Sequence, residues 1–395
     1  MVDQIKEAAQ KHAGQLVEIR RHLHAHPELS FQEHETSKYV ERTLKEMGVE
    51  VQRMAQTGLV VLIKGKHPGP VVALRGDMDA LPIVEKNKVP YCSTNRGVMH
   101  ACGHDVHTTC VLGAAMILNG MKEELSGTVK LIFQPGEEKL PGGASIMIKD
   151  GALKNPAPAS IFGQHVHPEL EVGKVGFRAG KYMASCDEVY LTIQGRGGHG
   201  AMPHMNIDPI LIAADTLLAM QQVVSRRSNP MVPTVLSFGR IEGLGATNVI
   251  PDEVEVAGTF RTFDEEWRME AHGLIQRIAE ETAKSYGGTC IVRIEKGYPF
   301  VYNDEALTQR ARAAAVEYLG AENVVDLEMR ATGEDFSYYS QAMPGSFHRL
   351  GVRNESKGIV HPVHSSHFDV DEACLSIGAG MMAWLAINEL TRQQG

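Results

Sequence analysis

Short apolar runs alternate with longer amphipathic stretches along most of the chain. Residues 3–24 and 34–48 carry helical periodicity and are parted by Pro27; Ser30 followed by Glu33 has the S-x-x-E spacing of a capping box ahead of the second helix. The segments 59–63 (LVVLI), 71–74 (VVAL), 128–133 (TVKLIF) and 160–163 are compact, mostly β-branched or apolar, and bounded by turn residues, which predicts buried strands. Helical stretches at 105–121 and 142–149 fall between them. This alternation predicts an α/β fold with a central sheet flanked by helices on both faces.

The pattern changes after Gly180. Residues 188–194 (EVYLTIQ) alternate like a half-exposed strand, followed by a helix at 207–226, strands at 234–242 and 253–262, a helix at 265–285 and a strand at 290–297. That β-α-β-β-α-β order is the split-βαβ, ferredoxin-like pattern. It predicts an inserted α+β domain at 182–298, interrupting an α/β domain made of 1–181 and 299–395. Helices are expected at 304–319, 334–341 and 371–391 in the last part.

A length of 395 residues suits two or three domains, and 43% hydrophobic with 22% charged residues is ordinary for a globular protein. The net charge of −9 argues against nucleic-acid or anionic-membrane partners, which need a basic surface. The N-terminal stretch carries Asp3, Lys6, Glu7 and Lys11 and lacks the apolar core of a signal peptide; no run of about 18 apolar residues is evident. The six cysteines are scattered, which predicts reduced thiols and a cytoplasmic setting.

The eighteen histidines matter through their clustering. Met99–His107 reads MHACGHDVH, with three histidines, a cysteine and an aspartate within eight residues directly ahead of an apolar helix. A thiolate and an imidazole two residues apart, Cys102 and His104, can reach one metal or two neighbouring ones. Gln134–Glu138 (QPGEE) follows a buried strand, and ligands in α/β folds gather at strand carboxyl ends. Of two adjacent carboxylates there, one can coordinate while the other moves a proton. His165 and His167 follow another apolar strand, on the same face by alternation; His361, His364 and His367 sit before the last helix. Asp77 and Asp79 also share a side after VVAL, either as ligands or as carboxylates that orient a metal-bound histidine such as His104 or His107. Glu334–Asp335 either touches the site or caps a helix.

In order along the chain stand HLHAHPELSFQE, RGDMDALP, MHACGHDVH, QPGEE, GQHVHP, GGHGAMPH, TNVIPDEVEVAGTFRTF, TGEDFSYY and HSSHFDVDE. Together they resemble the bimetallic aminoacylase, hippurate hydrolase and indoleacetyl-amino-acid hydrolase family, within a larger group of dinuclear zinc-type peptidases. The resemblance runs from about Arg21 to Glu372. It implies a catalytic α/β domain with an inserted lid that also forms a homodimer or homotetramer. It implies two divalent cations per subunit, zinc or manganese, with cobalt or nickel as alternatives. Cys102, His104, Glu138, His165 and His364 would be the ligands and Glu137 the general base. His199 would polarise the scissile carbonyl, while Asn248 and Arg261 would bind substrate. By themselves these three have plainer readings: a hairpin turn for His199, a turn residue for Asn248, a surface ion pair for Arg261. The chain departs from the family in reading RGDMD where Ala often precedes the first Asp, and HSSHF where Pro often follows the first Ser.

The implied activity is metal-dependent hydrolysis of the amide bond of small N-acyl amino acids. The alternatives are a dipeptidase, a carboxypeptidase or a deacetylase of an N-acetylated biosynthetic intermediate, and more remotely a non-catalytic metal-binding protein. An acid kept off the metal beside its ligands, the place of Glu137, has no use in a metal store.

Overall fold

A computed structural model describes residues 1–392. Helices α1 (Val2–Ala25) and α2 (His34–Glu46) precede strands β1 (Val51–Met54), β2 (Gly58–Lys64) and β3 (His67–Asp77). Next come α3 (His104–Gly120), β4 (Ser126–Gln134), α4 (Gly143–Lys149), β5 (Ser160–Glu171), β6 (Val175–Phe177) and β7 (Gly180–Met183). They are followed by β8 (Asp187–Gln194), β9 (Gly198–His199), α5 (Pro209–Gln222), β10 (Thr234–Glu242), β11 (Val249–Ile250), β12 (Glu253–Thr262), α6 (Glu265–Ser285), β13 (Thr289–Lys296) and β14 (Val301–Asn303). The chain ends with α7 (Glu305–Leu319), β15 (Val324–Asp326), α8 (Ser337–Ala342), β16 (Gly345–Arg353) and α9 (Cys374–Arg392).

Two compact units divide these elements. The larger takes Met1–Tyr182, Tyr302–Met329 and the chain from Asp335; the smaller takes Met183–Val301 and Arg330–Glu334. Each has its own apolar core.

The larger unit is built on an eight-stranded mixed sheet in the order β1-β2-β4-β3-β5-β16-β6-β15. Its centre, β4-β3-β5-β16, is parallel throughout, so these strands end on the same side. Helix α3 is buried from His104 to Leu118, as a helix apolar on every side requires. It packs with α1 and α9.

The structure departs from the sequence pattern at several places. Strand β16 was not predicted, because GSFHRLGVR shows neither alternation nor an apolar run, yet all but its last residue are buried. Its polar side chains find partners across the fold: Arg349 Nε donates to Tyr182 Oη at 2.8 Å, and His348 Nε2 lies 3.3 Å from Gln164 Oε1. The expected capping box does not form. Helix α2 starts at His34 with Glu33 as its N-cap and no side-chain cap bond, while Ser30 donates to Asp79. Helices α8 and α9 begin three residues later than expected, and α5 ends at Gln222 in a short π turn. Helix α9 does have the length and apolar content of a membrane span, which the sequence reading had not allowed; it is mostly buried in the larger unit's core, where an apolar surface is satisfied as well.

The smaller unit holds an antiparallel sheet, β10-β12-β8-β13, with α5 and α6 packed together. In chain order this is β-α-β-β-α-β, the split-βαβ arrangement. Asp187 and Arg268 form a fully buried ion pair there, joined by His272 Nε2 at 2.7 Å from Asp187 Oδ2.

Candidate metal centre

Five loops of the larger unit meet at the carboxyl ends of the central parallel strands, where α/β folds place their ligands. β3 delivers Asp77 and Asp79, β4 runs into Glu137 and Glu138, and β5 carries His165. Cys102 and His104 flank the start of α3, and His364 comes from the turn before α9. Gly103 between the first two adopts φ +83°, and a Cβ there would lie 2.5 Å from Val166 Cγ2. Only glycine fits both the left-handed backbone and the contact. His364 has a positive φ as well, 63°, with its N–H donated to the Ala101 carbonyl at 2.7 Å.

The ligand atoms form two trios sharing one thiol. Cys102, His104 and His165 have donor atoms within 4.8 Å of one another, and so do Cys102, Glu138 and His364. His165 Nε2 is 3.4 Å from Cys102 Sγ, and His364 Nε2 is 3.3 Å from Glu138 Oε1. Glu137 Oε2 lies 4.0 Å from His104 Nε2. His104 Nε2 is fully buried without a hydrogen-bond partner, and Glu138 Oε1 is buried without an aligned one. Buried polar atoms without a partner are costly unless something between them satisfies them. A soft thiolate with imidazoles and carboxylates suits borderline divalent cations. The residues thus fit two cations, one for each trio, with Cys102 common to both.

The charge balance agrees. Burial pulls the His104 pKa down, but Asp77, the Cys102 thiol and Asp79 outweigh it and hold the ring well above its ordinary value. Contacts with Cys102 and Glu138 push His364 up to about 10. The pocket draws positive charge; bound cations would supply it and leave both rings free to donate lone pairs. Burial, reinforced by Arg349, keeps His165 well below its usual value and neutral.

Each histidine's partners decide what it can do. His104 Nδ1–H donates to Asp79 Oδ1 at 3.1 Å, and His165 Nδ1–H donates to the Val166 carbonyl at 2.8 Å; both leave Nε2 for a cation. His107 has both nitrogens engaged: Nδ1–H donates to Asp77 Oδ1 at 2.6 Å, and Nε2 accepts from Val166 N–H at 2.9 Å. Asp77 Oδ2 is taken by Arg75 Nη1 at 2.6 Å. Asp79 Oδ2 accepts from Ser30 Oγ at 2.6 Å and from the Glu138 backbone N–H at 3.0 Å. Asp77 and Asp79 therefore orient histidines and loops. His167, expected beside His165, is partly buried and pairs instead with Glu169 at 2.8 Å. His361 and His367 are exposed, their rings tilted against each other with centroids 5.2 Å apart.

Sequence patterns missed Arg75 and Gln134 as supports. Fully buried Arg75 ties Asp77, Gln134 and Asp335 together, with Nη2 2.7 Å from Asp335 Oδ1 and Nε donating to Gln134 Oε1 at 2.9 Å. Asp335 also accepts from the Ala144 N–H at 2.9 Å. The available signal was a charged residue at the end of an apolar strand, where water cannot satisfy it.

In the smaller unit, His199 on β9 pairs with Val249 on β11, and Gly200 N–H donates to the Asn248 carbonyl at 2.8 Å, so His199 and Asn248 are neighbours. Ala201 N–H donates to His199 Nδ1 at 3.0 Å. The neutral ring then carries its proton on Nε2. Arg261 on β12 donates to the Ala331 carbonyl at 3.2 Å and makes no ion pair among the described residues.

A two-cation hydrolytic centre in an α/β unit with an α+β insertion defines a class of metal-dependent hydrolases. The model of peptidase family M20/M25/M40 matches residues 73–388, and the chain belongs to that family. It is 40% identical over 362 residues to N-acetyl-L-cysteine deacetylase of Bacillus subtilis, covering 91% of this chain and 85% of the relative. It is 40% identical to IAA-amino acid hydrolase ILR1-like 4 of Arabidopsis thaliana, covering 95% of this chain and 86% of that one. Among solved structures, the YXEP protein of Bacillus subtilis, described as a dinuclear metal binding peptidase of the M20 family, superimposes with a TM-score of 0.83 at 37% identity, covering 97% of this chain and 99% of that one.

Proposed function

We propose that this protein hydrolyses the amide bond of small N-acyl amino acids, releasing a carboxylic acid and a free amino acid. The observation that carries the reading is the place of Glu137, an acid outside both Cys102 trios and 4.0 Å from His104 Nε2. Two divalent cations, zinc or manganese with cobalt or nickel as alternatives, held by Cys102, His104, Glu138, His165 and His364, supply Lewis acidity and make water a stronger acid when bound. Glu137 takes the proton of the attacking water and passes it to the departing amide nitrogen. The accepting Nδ1 of His199 leaves an exposed Nε2–H, which suits polarisation of the scissile carbonyl. Arg261, without an ion pair among the described residues, suits a substrate α-carboxylate, with Asn248 as a further polar contact. Relatives whose names specify N-acetylcysteine and IAA-amino acid hydrolysis support the acyl amino acid class.

Assembly into homodimers or homotetramers belongs to the same reading. Leu211 and Leu218, one face of α5, are 66% and 72% exposed, and Val235 and Ile241 stand exposed on the open edge strand β10. Apolar residues beside an unpaired strand edge suit a second copy. A cytoplasmic setting fits six free thiols.

The test is a panel of acetyl, benzoyl and indoleacetyl amino acids against dipeptides, with and without chelator. The expected result is chelator-sensitive cleavage of the acyl amino acids, a loss of about 10²–10⁴-fold in Glu137→Gln, and unchanged metal stoichiometry in that variant. Cleavage of dipeptides alone would overturn the substrate class; full activity of Glu137→Gln would overturn the base.

A further inference from the structure

The connector between α1 and α2 supplies no ligand, yet it underlies two loops of the centre, the one that carries Asp79 and the one that carries Glu137 and Glu138. Ser30 Oγ donates to Asp79, and the Ala80 N–H donates to the Glu28 carbonyl at 2.8 Å. Glu33, fully buried, reaches the other loop. Its Oε1 accepts from the Gly136 N–H and the Phe31 N–H, both at 2.8 Å, and its Oε2 accepts from Thr57 Oγ1 at 2.7 Å. Gly136 stands immediately before Glu137. Its carbonyl accepts from the Gly143 N–H at 2.9 Å, so the residue is tied on both sides.

Gly136 needs such ties. Its φ is +59°, in a region glycine leaves easily, and the Phe31 ring lies so close that a Cβ there would be 2.3 Å from Phe31 Cε1. Phe31 is itself at φ +66°, unfavourable for a side-chain-bearing residue, and its N–H is the one Glu33 holds. A single carboxylate thus fastens both the strained residue and the glycine it packs on.

We propose that Glu33 is a positioning residue for the hydrolysis: by holding the Gly136 peptide it sets the direction in which Glu137 and Glu138 leave the end of β4. This rests on the reading of Glu137 as the base. Glu33 touches neither substrate nor reacting atoms and acts through the loop. Displacement of a catalytic group by about 1 Å costs on the order of 100-fold in rate, so a loop freed at Gly136 loses turnover more than substrate binding. Burial, together with the nearby Asp79 charge, pushes the Glu33 carboxyl up to about 7, which makes a neutral amide of the same shape a fair replacement.

The experiment compares Glu33→Ala, Glu33→Asp and Glu33→Gln with the parent in zinc-loaded full-length protein, reading kcat, KM, zinc affinity by chelator competition, and melting temperature. Alanine removes the acceptor, and aspartate is one methylene too short to reach Gly136. Both are expected to lose about 100-fold in kcat with KM within threefold, and to bind the weaker zinc equivalent about tenfold less tightly, since Glu138 shares the loop. In glutamine the amide oxygen accepts both N–H groups and the amide nitrogen donates to Thr57 Oγ1; kcat and zinc affinity return to within about fivefold of the parent. If alanine does not fold, the contrast between aspartate and glutamine carries the test. Aspartate with the parent's kcat and zinc affinity, or glutamine as impaired as aspartate, overturns the proposal. A parent inactive on every acyl amino acid overturns the functional reading instead, and the zinc affinities then judge whether Glu33 holds the loop.

Discussion

Replacing Asp79 by Asn tests whether the buried carboxylates orient the ligands. Asp79 accepts three hydrogen bonds: one from His104 on Oδ1, and two on Oδ2 from Ser30 and the Glu138 N–H. Asparagine keeps the shape but has a single acceptor oxygen, so it must fail one side. If its oxygen serves Ser30 and Glu138, its NH₂ faces His104 Nδ1. That ring must then accept there and carry its proton on Nε2, the atom turned to the cation pocket. If its oxygen serves His104, an NH₂ faces the Glu138 N–H, and a buried donor without an acceptor costs about 1–3 kcal/mol. Changes to groups that orient metal ligands typically weaken metal binding by about 10–100-fold, or about 1.4–2.7 kcal/mol. Both routes arrive at that scale. The assay is competition between the protein and a chromophoric chelator for zinc, with melting of the metal-free protein as a control on folding. Weakening of one zinc equivalent by at least tenfold is expected, in a variant whose metal-free form still melts cooperatively. Two equivalents bound as tightly as by the parent would refute the assignment of Asp79 to orientation.

Gly103→Ala forces a side chain into φ +83° and towards Val166 Cγ2; about 1–2 kcal/mol of backbone strain is expected, with at least tenfold weaker zinc binding, and calorimetry with the same competition assay checks both. Arg75→Met takes the guanidinium away from the buried Asp77 and Asp335 carboxylates and is expected to cost about 3–5 kcal/mol, read as a large drop in melting temperature; a drop near zero would show that the cluster is already neutral. Burial raises the Asp187 pKa, but its bonds to Arg268 and His272 outweigh this and bring it down to about 2. A folded-state pKa below the unfolded value stabilises above the unfolded value, near 4, and that stabilisation is lost as pH falls towards 2. The melting difference between parent and Asp187→Asn should therefore be full at pH 7, equivalent to about 2 kcal/mol, and shrink between about pH 4 and pH 2; a difference independent of pH would contradict the ion pair.

The side chains proposed as ligands stood out because their chemistry is local. A thiol and imidazole two residues apart, and paired acids after an apolar strand, announce a metal wherever a fold brings them together. The insertion was readable too, since exposure on one face writes alternation into 188–194 and 253–262. What escaped were partnerships that no local pattern announces. β16 hides among polar residues because Arg349 and His348 are satisfied by Tyr182 and Gln164. Ser30 and Glu33 carry the letters of a helix cap, but they spend their side chains on Asp79 and Gly136.

By itself, then, the sequence determined the kinds of atoms available to a metal centre and the strand ends that would bear them. Only the tertiary structure decided which atom does what. His104 and His107 lie one helical turn apart with the same side chain, yet His104 keeps Nε2 free while Val166 and Asp77 occupy both nitrogens of His107. The physical reason is that an imidazole's function is set by the partner of its other nitrogen, and that partner is chosen by the register of parallel strands, where Asp77 lies opposite Gln134 and Arg75 opposite Gly163.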